Sequence, residues 1–76
     1  MPAINVKVKL LKEMYHLELD PEAPVIEFRK ALEEKTYIPP SGQRLKVKGK
    51  LLPTDLEMWD DYKEVLIEGA LFMIMQ

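Results

Sequence analysis

The sequence predicts an α+β fold in which one main helix packs on a mixed five-stranded sheet, and three observations carry that reading. Apolar and polar residues alternate through Ile4–Lys9, Tyr15–Leu19 and Leu45–Lys48, the period-two signature of strands with one buried face, and the unbroken apolar run Ala70–Met75 reads as a further strand. Between the second and third of these runs, a single stretch repeats its apolar residues at helical spacing. The chain has 76 residues, 47% of them hydrophobic and none of them cysteine, which is enough for one core without disulfides. Residues 1–76 are therefore expected to form a single domain.

Taken in order, Ile4, Val6 and Val8 alternate with Asn5, Lys7 and Lys9 in a first strand, and Tyr15–Leu19 forms a second. A hairpin is expected to join them near Leu11–Glu13, although no Gly, Asn or Asp marks the turn. Asp20–Pro24 turns the chain into a helix from about Pro24 to Lys35, because proline suits the first helical position and acids favour the start of a helix. Val25, Phe28, Ala31 and Leu32 should face inward, with Glu27, Arg29, Lys30, Glu33 and Glu34 outward. Thr36–Pro40 ends the helix. Leu45–Lys48 is a third strand, and Gly49-Lys50 permits a reversal into a short edge strand at Leu51-Leu52. Pro53–Glu64 is an acidic connector with a short helical turn, anchored by Leu56, by Met58 or Trp59, and by Tyr62. Glu68-Gly69 leads into the final strand. This order of strands around one helix is the β-grasp arrangement.

Composition narrows the function classes. With 11 basic and 13 acidic residues the net charge is −2, which argues against nucleic acid as the main partner. No apolar run has the length of a signal peptide core or a membrane span, so the expectation is a cytoplasmic or nuclear monomer without membrane contact. His16, the one histidine, should be a surface residue of the second strand. The acids of Asp55–Glu64 have no histidine or glycine-rich loop beside them, so no catalytic residue, metal site or cofactor is expected. Trp59 reads as a core anchor, and Met73 and Met75 as core filling.

Ile38-Pro39-Pro40, Gln43-Arg44-Leu45, Gly49-Lys50 and Leu52, together with Leu17-Glu18-Leu19-Asp20-Pro21 upstream, resemble ubiquitin over nearly the whole chain. The run Leu45–Leu52, Trp59 after an acidic loop, Leu71–Met75 and the helix entry Ala23-Pro24-Val25 before Phe28 look like the N-terminal ubiquitin-like domain of proteasome-associated ubiquitin-specific proteases. Ubiquitin-like domains of chaperone cofactors and of a proteasome-linked phosphatase are similar at the lysine-glycine turn and the methionine-rich end. The resemblance implies a domain that docks its parent protein on the proteasome regulatory particle, with any catalytic machinery elsewhere. Ubiquitin ends in a mobile tail with Gly-Gly, whereas the sequence here closes at Gln76, so a domain that is not conjugated is expected. The alternatives are a protein modifier whose tail is missing, and an engineered ubiquitin-fold protein without a partner. Tyr37 departs from the glycine that ubiquitin places after its helix: either Tyr37 takes a left-handed conformation or the helix ends differently.

The same resemblance aligns Leu71, Met73 and Met75 with inward residues and leaves Phe72, Ile74 and Gln76 outward. A small domain with one helix covers only one face of its sheet, which favours an exposed patch over Phe72 and Ile74 being covered by a larger parent protein. Leu10 or Leu11 from the hairpin tip would extend the patch, and Lys7, Lys9, Arg44, Lys46, Lys48 and Lys50 would frame it. Ubiquitin has an isoleucine at the place of Lys46, which sets this surface apart from the one that ordinary ubiquitin-recognition helices meet. An apolar centre with a basic rim suits an apolar and acidic protein partner.

Overall fold

The alternating residues at the N-terminus form two strands, β1 (Ile4–Leu10) and β2 (Glu13–Leu19), in the computed structural model, which describes residues 3–75. They pair antiparallel with Val6 opposite Leu17 and Lys9 opposite Met14, so buried faces meet buried faces. The loop between them is Leu11-Lys12, and Leu11 takes a positive φ of 56° that a glycine would adopt without strain. Three further strands complete the sheet: β3 (Arg44–Val47), β4 (Lys50–Leu51) and β5 (Ala70–Met75). The spatial order is β2-β1-β5-β3-β4, with β5 parallel to β1 and antiparallel to β3. The edge strand thus begins one residue earlier than the alternation suggests, because Lys48 and Gly49, both at positive φ, make the reversal, while Leu52 turns into the core.

Helix α1 spans Val25–Thr36, with Pro24 just outside it as the N-cap. Pro24 has no N–H to offer, and the first helical N–H, from Val25, donates instead to the Glu57 carbonyl at 2.8 Å. Val25, Phe28 and Leu32 are buried as their spacing requires, and Ala31 is half-buried. Phe28, Trp59 and Phe72 form an aromatic triangle at the centre of the core, with ring centroids 5.2–6.1 Å apart. Trp59, rather than Met58, is the anchor that the connector sends inward, and Asp60–Val65 forms the short 3-10 helical turn after it.

Arg29 corrects the expected helix pattern: it is buried, not outward. Its guanidinium donates to the carbonyls of Gln43 at 2.9 Å and Pro53 at 3.2 Å, with a longer contact to Pro40 at 3.5 Å. Gln43, also buried, answers from the other side, its Nε2 donating to the carbonyls of Arg29 at 2.7 Å and Ile38 at 3.0 Å. Apolar periodicity cannot anticipate this, because a long polar side chain can occupy an inward position when backbone acceptors converge on its tip. Desolvation lowers the pKa of Arg29, yet arginine remains charged, so this is a buried cation held by carbonyl dipoles.

Tyr37 resolves the question at the helix end. It takes the left-handed conformation, φ 63°, and its N–H donates to the Glu33 carbonyl at 2.8 Å. The ring is 87% exposed, so no packing offsets the strain. Tyr37→Gly is therefore expected to stabilise the domain by roughly 1 kcal/mol in urea unfolding; a loss of stability would show that the ring makes contacts after all.

Two more consequences are testable. Phe72→Ala should cost about 3–5 kcal/mol by opening the aromatic triangle, whereas Met73→Ala on the same strand should cost under about 1 kcal/mol. Equal costs in denaturant titrations would contradict the orientation of β5. At the entry to that strand Glu68 accepts from the Asn5 backbone N–H at 3.0 Å and from Asn5 Nδ2 at 2.8 Å, and these bonds hold its carboxyl below the usual glutamate range. A carboxyl depressed in the folded state contributes stability above its unfolded pKa and loses it as pH falls through the folded value. Stability measured against pH should fall less steeply on the acid side in Glu68→Gln than in the unsubstituted protein.

Candidate functional site

The inner face of the sheet is taken by α1, so the chemistry open to a partner lies on the outer face, and period two decides which residues stand there. On β5 the buried set is Ala70, Phe72 and Ile74, the last two 0% and 6% exposed, and the outward set is Leu71, Met73 and Met75, each 41–44% exposed. This reverses the expected assignment: Phe72 and Ile74 belong to the core, and Met73 and Met75 do not fill it. The physical reason is bulk and shape. The core beneath β5 has to be completed against Phe28 and Trp59, which a planar ring at Phe72 does and a thioether does less well. Opposite β5, the buried Leu45 and Val47 of β3 stand in register with Ile74 and Phe72.

With that correction the layout of an apolar centre and basic rim persists on different residues. One row across the sheet reads Met14, Lys9, Met73, Lys46 and Leu51, as the register of β2, β1, β5, β3 and β4 places them. Neighbouring rows set His16 and Lys7 beside Leu71, and Arg44 beside Met75. Lys7, Lys9, Arg44 and Lys46 therefore flank the Leu71–Met73–Met75 line on both sides, while Glu18 on β2 and Glu68, bonded to Asn5, add acids at one end of this face. The remaining expected site residues separate. Lys48 is exposed in the β3–β4 turn, while Lys50 is exposed at the sheet edge opposite the buried Val47, off the outer row. Leu10 is half-buried against the core and is not part of the surface, whereas Leu11 is fully available at the hairpin tip. Gln76, expected outward with Phe72, lies outside the described residues.

Leu71, Met73 and Met75, with Met14 and Leu51, are thus the apolar surface residues that sequence reasoning placed wrongly or passed over. The signal available was the contrast in bulk along β5: alternation offers two faces, and the one carrying Phe and Ile is the better core face. His16 stands outward on β2 as expected. Among the described residues, no group of three or more His, Asp or Glu is placed to hold a metal ion. Among them, too, no helix is long and apolar enough to cross a membrane.

Comparison with known proteins agrees with this architecture. No curated protein matches the sequence. Among solved structures, the ubiquitin-like domain of an Arabidopsis thaliana protein superposes with a TM-score of 0.85 at 19% identity, covering 99% of this chain and 78% of that one. A de novo design based on ubiquitin gives 0.78 at 17% identity, over 97% and 88% of the two chains. ATBAG1, solved in complex with HSP70, gives 0.79 at 20% identity over 96% of this chain and 40% of that one. At such identities the likeness establishes the fold alone. The model of the ubiquitin family matches residues 4–64, most of the length, and the chain belongs to the ubiquitin family.

Proposed function

We propose that this ubiquitin-like domain is a non-catalytic docking module that recruits the protein carrying it to the proteasome regulatory particle. The observation that carries this reading is the outer sheet face, where Leu71, Met73 and Met75 form an apolar line between Lys7 and Lys9 on one side and Arg44 and Lys46 on the other. Apolar side chains give such a surface its affinity, and the lysines and arginine steer an acidic partner and fix its orientation. Thioethers adapt to the contour of a partner helix, whereas a phosphate backbone offers them nothing apolar to meet, so a protein partner fits better than nucleic acid. Lys46 at the centre of the face, where ubiquitin has isoleucine, favours a partner with an acid opposite that point. The resemblance to the docking domains of proteasome-associated ubiquitin-specific proteases supports the regulatory particle as that partner and a deubiquitinase as one candidate parent.

The test is capture of purified regulatory particle, with HSP70 as a comparison partner because a structural neighbour was solved in complex with it. Leu71→Ala with Met73→Ala should weaken capture about tenfold or more while amide spectra stay folded. Raising salt should slow association, since exposed charges are screened beyond about 8 Å at physiological ionic strength. Wild-type capture by the folded double variant would remove the outer face as the docking surface. Capture of HSP70 in place of the particle would overturn the choice of partner.

A further inference from the structure

The docking reading leaves a second surface unused, on the helix side of the domain. A groove runs between the first turn of α1 and the Thr54–Met58 loop, which the bond from Val25 N–H to the Glu57 carbonyl holds against the helix. Pro24, Ile26, Leu56 and Met58 supply its apolar lining, and Asp55 and Glu57 its charge. Ile26 and Met58 are exposed large apolar side chains with no counterpart in the core to cover them. Further exposed acids follow these elements in the chain, Glu27 on the helix and Asp60 and Asp61 after Trp59. Glu22 is engaged by Lys63 at 3.0 Å, and Lys30, four residues on from Ile26, is an exposed base on the helix.

We propose that this acidic apolar groove receives the basic apolar sheet face of a second copy of the chain, so that the domain associates head to tail. The argument is complementarity within one molecule: Leu71, Met73 and Met75 framed by Lys7, Lys9, Arg44 and Lys46 match Ile26 and Met58 framed by Asp55 and Glu57. The net charge of −2 hides this, because the four bases around the Leu71–Met73–Met75 line and the two acids of the groove lie on surfaces that share no residue. Since each copy retains one unused groove and one unused face, the contact is heterologous and extends beyond a dimer. The monomer expected from the sequence is then the dilute state. A copy seated on the sheet face also covers the surface used in docking; this last clause alone rests on the docking reading, and it makes self-association a brake on recruitment.

Sedimentation velocity on the purified chain tests the proposal. The sedimentation coefficient should rise with concentration past the dimer value, and association should weaken about tenfold when salt goes from roughly 0.05 to 0.5 M. Ile26→Lys spoils the groove and leaves the sheet face intact, and Met73→Glu does the converse. Each variant alone should remain monomeric, and an equimolar mixture should form a dimer and nothing larger, because one matching pair of surfaces survives. Glu57→Lys and Lys46→Glu, changed at exposed or half-exposed positions and checked for folding by amide spectra, should each stay monomeric alone and associate when mixed, because the mixture keeps one native pair of surfaces and sets the new lysine against the new glutamate in the other. A wild-type chain that stays monomeric at its highest soluble concentration, or folded variants whose mixture stays monomeric, would overturn the proposal. Regulatory-particle capture is measured separately on Ile26→Lys alone, whose sheet face is free: its failure, with the mixed dimer still forming, would sink the docking reading and leave head-to-tail association standing.

Discussion

Phe72 sits with its ring centroid 5.2 Å from that of Phe28 and 6.1 Å from that of Trp59, and most of what the domain presents to others depends on that contact. In a strand, fixing one side chain inward fixes the direction of every neighbour, because successive side chains point to opposite faces. With Phe72 in the core, Ala70 and Ile74 follow it inward, and Leu71, Met73 and Met75 have to stand in solvent. Because β5 lies between β1 and β3, that outward line falls in the middle of the sheet, where the lysines of β1 and the basic residues of β3 flank it without further design. The apolar surface is thus a consequence of how the core is completed.

A second constraint keeps the helix in place above that core. Arg29 and Gln43 exchange hydrogen bonds in both directions, side chain to backbone, and join α1 to the start of β3, while a further bond from Arg29 reaches the carbonyl of Pro53. Charged donors to buried carbonyls are strong when satisfied and costly when lost, so this clasp specifies one seating of the helix more sharply than apolar contact alone. The Glu57 carbonyl completes the arrangement by accepting from Val25, which fixes the acidic loop beside the helix start. The charge of the domain is divided by these connections: the loop and helix entry carry acids, and the outer sheet carries bases.

How much of this was legible depended on what kind of signal each residue gives. The strands β1 and β2 and the inward positions Val25, Phe28 and Leu32 follow from periodicity, since burial of one face is what creates the period. Gly49 marks the second reversal, which the sequence reading puts at Gly49-Lys50 and the structure at Lys48-Gly49; the first turn falls near Leu11 as its flanking alternation indicates, but the positive φ of Leu11 has no local cue in a leucine. Arg29 was misplaced because its partners are carbonyls far along the chain, which no residue pattern displays. On β5 alternation was visible but its phase was not: both faces are apolar, and alignment to a relative chose the wrong one where the sizes of Phe72 and Ile74 against Met73 and Met75 pointed the other way. The basic rim was legible for Lys7, Lys9, Arg44 and Lys46, whose phase is set by the buried valines and leucine between them.

The phase of β5 can be read directly from solvent relaxation. With a soluble paramagnetic agent added to the folded protein, NMR should show the methyl groups of Leu71, Met73 and Met75 broadening strongly while the Phe72 ring and the Ile74 methyls remain sharp. Broadening of Phe72 and Ile74 with protection of the two methionines would contradict the account.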